Sequence, residues 1–251
     1  MPDEQQPVVP EKMTIKTQRE LKQEMKQQKR QAAARQDKVK NIITWTIIGG
    51  VVVAIIALAI ASRGGSGSGS VAAVTDQDHV RGERSAKAVI IEYSDFQCPA
   101  CGAYHPVLKN LEAKFGKDVA VVYRNFPLTT LHQYAQLAAQ AAEAANLQGK
   151  YWEMHDLLFE RQDTWSKGTN VQQTFIDYAA ELKLDTAKFT QDITSSTVKD
   201  RVALDVTSGN TAAINSTPTF YLNGKKLNNP GSEAAFSTLI EAELGITNSN
   251  Q

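Results

Sequence analysis

Cysteine is nearly absent: the 251-residue chain holds 2. A multi-disulfide scaffold and a four-cysteine zinc site are therefore excluded. An excess of one charge sign is missing too. The 27 Lys and Arg balance 27 Asp and Glu, so no basic surplus points to nucleic acid. Aromatic residues make up only 7%, and they fall at helical core spacing rather than as a base-stacking platform. No Gly-rich phosphate loop, zinc-protease motif or nucleophile elbow occurs. What remains is 42% hydrophobic and 22% charged residues, an ordinary globular balance that excludes collagen-like, mucin-like and wholly disordered chains. The neutral total hides an asymmetry. Residues 1–62 carry 10 basic and 6 acidic side chains, residues 64–251 carry 16 and 21, and Arg63 lies between them.

That asymmetry divides the chain. Residues 1–41 contain Pro2, Pro7 and Pro10, then a Lys-, Gln- and Glu-rich stretch with few apolar residues. They read as a solvated basic segment. Residues 42–61 carry no charge. As a helix that stretch spans roughly 30 Å, the thickness of a bilayer's hydrocarbon core. Trp45 stands near one end, Lys38 and Lys40 flank that end, and only Arg63 flanks the other. The positive-inside rule then places the N-terminus in the cytoplasm and everything after residue 62 outside. Ala59-Ile60-Ala61 resembles a signal-peptidase site, but the apolar run exceeds the ~7–15 residues of a signal peptide. The expectation is an uncleaved anchor. Residues 62–73 include the run G-G-S-G-S-G-S, a flexible linker that reaches about 15 Å.

The body, 74–251, reads as α/β. Ala88–Tyr93 and Val119–Tyr123 are short β-branched runs. Between them, Gly102–Phe115 has helical spacing, which makes a right-handed parallel unit. Residues 131–214 are helical in pattern. Asn170 with Gln173 resembles a capping box, and Asp185 is set to cap a further helix. Thr219–Leu222, the turn Asn223-Gly224 and Lys225–Leu227 form a hairpin. Ser232 caps a last helix, Glu233–Leu244, which Gly245 closes.

Both cysteines fall in one motif, Cys98-Pro99-Ala100-Cys101, directly after the first strand and at the start of the first helix. A helix N-terminus carries about half a positive charge and unpaired N–H groups. That field stabilises a thiolate at Cys98. Pro99 costs nothing there, since its missing N–H would have had no partner. Cys101 follows one turn later, close enough to close a disulfide. Cys98 is then the attacking sulfur and Cys101 the resolving one.

With these residues in place, the body resembles the thioredoxin superfamily, and in particular its DsbA-like branch. Residues 88–128 and 214–244 match the two halves of that fold, and the 131–214 block matches the branch's helical insertion. F-Q-C-P-A-C-G-A-Y-H is similar to membrane-tethered bacterial members. The resemblance implies several roles. Thr217-Pro218 would be the family's cis-proline turn, holding extended substrate beside Pro99 and Ala100. Glu92 would be the buried acid that moves protons for Cys101. The activity implied is thiol–disulfide exchange on cysteine-containing exported proteins, with no bound cofactor and with a membrane redox partner to reoxidise the pair. An isomerase or reductase on the same fold is the alternative. Pro-Ala stands where the strongest oxidants of the family carry Pro-His, which implies a milder oxidant. No separate dimerisation domain is visible.

One reading from another class stays open on the sequence. His105 follows Cys101 by four residues, so Cys98, Cys101 and His105 together can ligate a soft metal. A membrane-tethered metal-binding or metal-delivery protein would follow. The plainer expectation makes His105 a helix-surface residue and His132 and His155 structural. His79 carries no signal.

Overall fold

The computed structural model describes residues 71–246. The basic segment 1–41, the apolar run 42–61 and linker residues 62–70 lie outside the described residues. Among the described residues no helix is long and apolar enough to cross a membrane.

Five strands form one sheet in the order β1-β3-β2-β4-β5. These are β1 (His79–Gly82), β2 (Ala88–Ser94), β3 (Val119–Asn125), β4 (Thr219–Leu222) and β5 (Lys225–Lys226). β2 and β3 are central and parallel, with Glu92 opposite Tyr123 and Tyr93 opposite Arg124. The other pairings are antiparallel. β3 is buried at every residue, and β2 at all but one. Strands covered on both faces read as continuous apolar runs, which is why both were legible. β1 was not: His-Val-Arg-Gly is four residues long with one apolar side chain. At the hairpin, Asn223 and Gly224 take φ of 47° and 80°, the left-handed pair that suits a two-residue turn.

Helix α1 (Pro99–Phe115) crosses between β2 and β3. Six helices separate β3 from β4: α2 (Ala135–Asn146), α3 (Tyr151–Glu160), α4 (Gln162–Trp165), α5 (Val171–Glu181), α6 (Thr186–Asp192) and α7 (Ser196–Thr211). Helix α8 (Glu233–Leu244) closes the fold. Ser232 Oγ accepts from the N–H of Ala235, and Gly245 ends the helix in the left-handed conformation. Asp185 likewise caps α6. The capping box expected at Asn170 does not form: that side chain makes no cap bond. Gln173 instead donates along the helix to Asp177.

Two apolar clusters follow from the strand period of two, and a third from the helical block. On one sheet face Ile90, Val121 and Phe220 pack with Leu108 and Leu111 of α1 and with Phe236 and Ile240 of α8. On the other, Ile91, Tyr93, Val122 and Phe126 lie near Ala212 and Ile214. Gly209 allows this closeness, since a Cβ there would sit 2.5 Å from Phe126. The third cluster is the helical block, built on the alanines of α2 with Met154, Leu158, Trp165 and Phe175. It also takes in Phe96, Cys98, Cys101 and Tyr123, so the cysteines lie where block and sheet meet. The folded body starts earlier than the expected residue 74. Val71 is buried, and the carbonyls of Ala72 and Ala73 accept from Arg124.

Candidate functional site

Cys98 is the N-cap of α1, with extended backbone at φ −73° and ψ 121°, and Pro99 opens the helix. Its N–H donates to Asp95 O, and its own carbonyl accepts from Gly102 N. Both cysteines are free and buried. The Thr217–Pro218 bond is cis, and Cys98 Sγ lies 3.5 Å from the Thr217 carbonyl. Pro99 and Ala100 are exposed beside the sulfur. The structure thus gathers Cys98, Cys101, Thr217, Pro218, Pro99 and Ala100 at one end of the sheet.

The two thiols have opposite environments. The Cys98 pKa falls from 9.0 to about 5. The largest cause is a hydrogen bond from the Cys101 thiol, which outweighs the cost of burial. The N–H groups of Cys101 and Ala100 and the Thr217 side chain also favour the thiolate. Among the described residues the Thr217 hydroxyl has no hydrogen-bond partner, so it is free to donate to that sulfur. Cys101 goes the other way, well above 9.0, first through burial, then through its bond to Cys98 and the charge of Glu92. Glu92 is 3% exposed on the face of β2 that looks at α1. Burial lifts its pKa from 4.5 to about 8, the Cys98 charge adds to the rise, and a bond from Ser94 opposes it.

Several residues that the sequence reading passed over hold this end of the sheet. Asp95 accepts from Gln97 N and Leu128 N, and it bonds His132 Nδ1 at 2.7 Å. Gln97 Oε1 accepts from Tyr134 N. Gln162, from the helical block, donates to the carbonyls of Phe96 at 2.7 Å and Cys98 at 2.9 Å. Ser94 Oγ donates to Glu92 Oε1 at 2.7 Å. Ser94 was within reach of sequence reasoning, because residues two apart on a strand share a face. Gln162 was not, because nothing local ties it to a motif some 60 residues earlier.

The metal grouping of the sequence reading does not form. His105 is buried, not a surface residue, and it stacks on Phe159 at 5.2 Å between ring centroids. Among the described residues, the ligand atoms that converge are those of His105, His155 and Asp156, with neither cysteine. Cys101 turns towards Cys98, Ser94 and Glu92, while His105, one turn on, turns to α3. Arg81 already bonds Asp156 at 2.8 Å, so a guanidinium charge stands where a metal would need that carboxylate. His155 is buried and its pKa falls to about 3. His79, dismissed on the sequence, stacks on Tyr151 at 3.4 Å and bonds Glu143 at 2.9 Å.

A family model described as Thioredoxin matches residues 74–242. The chain belongs to the thioredoxin family. Among solved structures, this thioredoxin-family chain is similar to oxidised BdbD from Bacillus subtilis. The TM-score is 0.62 at 22% identity, over 70% of this chain and 97% of that one. It is similar to alpha-DsbA1 from Wolbachia pipientis with the same TM-score and identity, over 71% and 96%. The catalytic domain of Proteus mirabilis ScsC follows at 0.56 and 16%, over 68% and 91%. These likenesses establish a thioredoxin-like fold with a helical insertion. In sequence, the chain is 39% identical over 165 residues to a protein named Na(+)/H(+) antiporter NhaA 3 from Salinispora tropica, over 66% of this chain and 24% of that protein. It is also 39% identical over 171 residues to Na(+)/H(+) antiporter NhaA 1 from Mycolicibacterium vanbaalenii, over 66% and 27%. The chain spans about a quarter of the length of these relatives.

Proposed function

We propose that the body is an extracytoplasmic thiol:disulfide oxidoreductase that introduces disulfide bonds into exported proteins through Cys98 and Cys101. The observation that carries this reading is the placement of Cys98 at the N-cap of α1, 3.5 Å from the carbonyl before the cis Pro218 and with Cys101 buried one turn on, which lowers the first thiol's pKa and raises the second's. In the oxidised enzyme a substrate thiolate attacks Cys98 Sγ. The bond between the cysteines breaks, and Cys101 leaves as a thiolate that takes up a proton. A second substrate thiolate then attacks the substrate sulfur of the mixed disulfide. Cys98 leaves as a thiolate, and a stable thiolate is a fast leaving group. Two electrons have passed to the pair, and a membrane redox partner removes them. No bound cofactor enters.

Peptide groups at Thr217 and Pro218 hold the substrate as an added strand, with Pro99 and Ala100 beside it. Glu92 exchanges the proton of Cys101. Residues 42–61 span the bilayer, residues 1–41 stay in the cytoplasm, and 62–70 tether the body.

Oxidative refolding of a reduced protein tests the reading. The wild type speeds disulfide formation, Cys98→Ser abolishes it, and Cys101→Ala accumulates a mixed disulfide. Activity on scrambled disulfides alone would make the protein an isomerase, and a strongly negative potential would make it a reductase. Absence of both turnover and adduct contradicts the proposal. Labelling of Cys98 in intact cells by an impermeant thiol reagent tests the location.

A further inference from the structure

We infer that Ser94 is a catalytic residue, a hydroxyl relay that carries the proton between Cys101 and Glu92. This rests on the oxidoreductase reading above. Exchange at Cys98 releases or consumes the Cys101 thiolate, so each turnover moves one proton at that sulfur. Cys101 is fully buried at 0% exposure, and a protein group must therefore supply the proton. Glu92 is the nearby acid, and its one side-chain hydrogen bond among the described residues comes from Ser94, at 2.7 Å. Ser94 is itself 1% exposed, shares with Glu92 the strand face that looks at α1, and favours the Cys101 thiolate against the effect of burial.

A serine hydroxyl has one proton to donate and two lone pairs. It can donate to Glu92 while accepting from the Cys101 S–H, or accept from protonated Glu92 while donating to the Cys101 thiolate. When substrate attacks Cys98, the S–S bond breaks and the electron pair stays on Cys101. Ser94 passes its proton to that sulfur and takes the Glu92 proton in return. Thiol, intact hydroxyl and carboxylate result. Resolution by Cys101 runs the same transfer backwards. The neighbours leave this route open. Tyr123, opposite Glu92 in the ladder, has a buried hydroxyl that bonds neither Glu92 nor any other group among the described residues. Phe220, opposite on β4, carries no proton. Asp95 is committed to Leu128 and His132.

The test is single-turnover reduction of the oxidised full-length protein by a thiol peptide, with folding checked by near-ultraviolet circular dichroism. Ser94→Ala is expected to slow the reaction at least about 100-fold, the low end of what a placed proton-transfer group contributes. Ser94→Thr, which keeps the hydroxyl, restores most of the rate. Glu92→Gln is slow, and the double variant Ser94→Ala/Glu92→Gln is no slower than Glu92→Gln alone, because the two act in one path. A structural role for Ser94 would instead give multiplicative losses. A Ser94→Ala protein as fast as the wild type, a Ser94→Thr protein as slow as Ser94→Ala, or multiplicative losses each overturn the relay alone. A wild type that the peptide does not reduce overturns the relay together with the reading on which it rests.

Discussion

Two buried charged groups stand one residue out of step on adjacent central strands, and they are held in opposite ways. Arg124 faces one side of the sheet. Its guanidinium grips both oxygens of Asp78 at 2.7 and 3.0 Å, and it donates to Ala72 O, Ala73 O and Tyr93 Oη. Glu92 faces the other side and is equally buried at 3% exposure; among the described residues its side chain accepts from one serine hydroxyl and pairs with no cation. Arg124 is fixed in its charged form by Asp78 and Tyr93 against the pull of burial. Glu92 is pushed by burial towards its neutral form. A buried charge with a full set of partners holds structure in place, whereas a buried carboxyl short of partners keeps a proton that it can give up.

Removing the better-satisfied group should do the greatest damage to the fold. Arg124→Met strands Asp78 and the carbonyls of Ala72 and Ala73. The expected loss is about 3–5 kcal/mol in urea unfolding, as for other broken buried pairs. The Cys98 titration should stay where it is, since the two groups face opposite sides of the sheet. A loss under about 1 kcal/mol would place Arg124 with ordinary surface pairs.

Glu92→Gln should have the opposite character. The folded protein holds the Glu92 proton up to about pH 8, while the unfolded chain loses it near 4.5. The folded-state pKa is raised, so the acid's contribution to stability is most favourable below pH 4.5 and erodes as pH climbs towards 8. Glutamine cannot ionise. The variant should therefore gain on the wild type across that window, by on the order of a few kcal/mol, while losing turnover. A difference independent of pH would show that Glu92 ionises normally.

Gln162→Ala should have the smallest effect. It leaves the carbonyls of Phe96 and Cys98 each without a side-chain donor, a cost of about 1–2 kcal/mol in the same unfolding measurement. A larger loss would show that the helical block, rather than the strand end, fixes the N-cap of α1.

The fold was legible where local chemistry and tertiary position agree. Apolar β-branched runs became β2 and β3, Asn223-Gly224 became the turn, and Ser232 and Gly245 bound the last helix as they were read. β1 was invisible because its four residues are held by Tyr123, Val122, Val121 and Ala120 of β3 rather than by their own pattern. Asn170 looked like a cap, but its helix forms without that bond. Within the site, the order of Glu92, the two cysteines and Thr217-Pro218 could be read along the chain, because each belongs to a local turn or strand end. Gln162 and the buried face of His105 could not. Each is set by how the helical block lies against α1, and a single sequence does not state that packing.

The central claim is that Cys98 is a thiolate at neutral pH while Cys101 stays protonated. Thiolate ultraviolet absorbance of the reduced protein, titrated from acid to alkaline pH, tests this most directly. One transition near pH 5 that disappears in Cys98→Ser is expected, with no second cysteine ionising below pH 9. A single transition near pH 9, or one near pH 5 that survives Cys98→Ser, would contradict it.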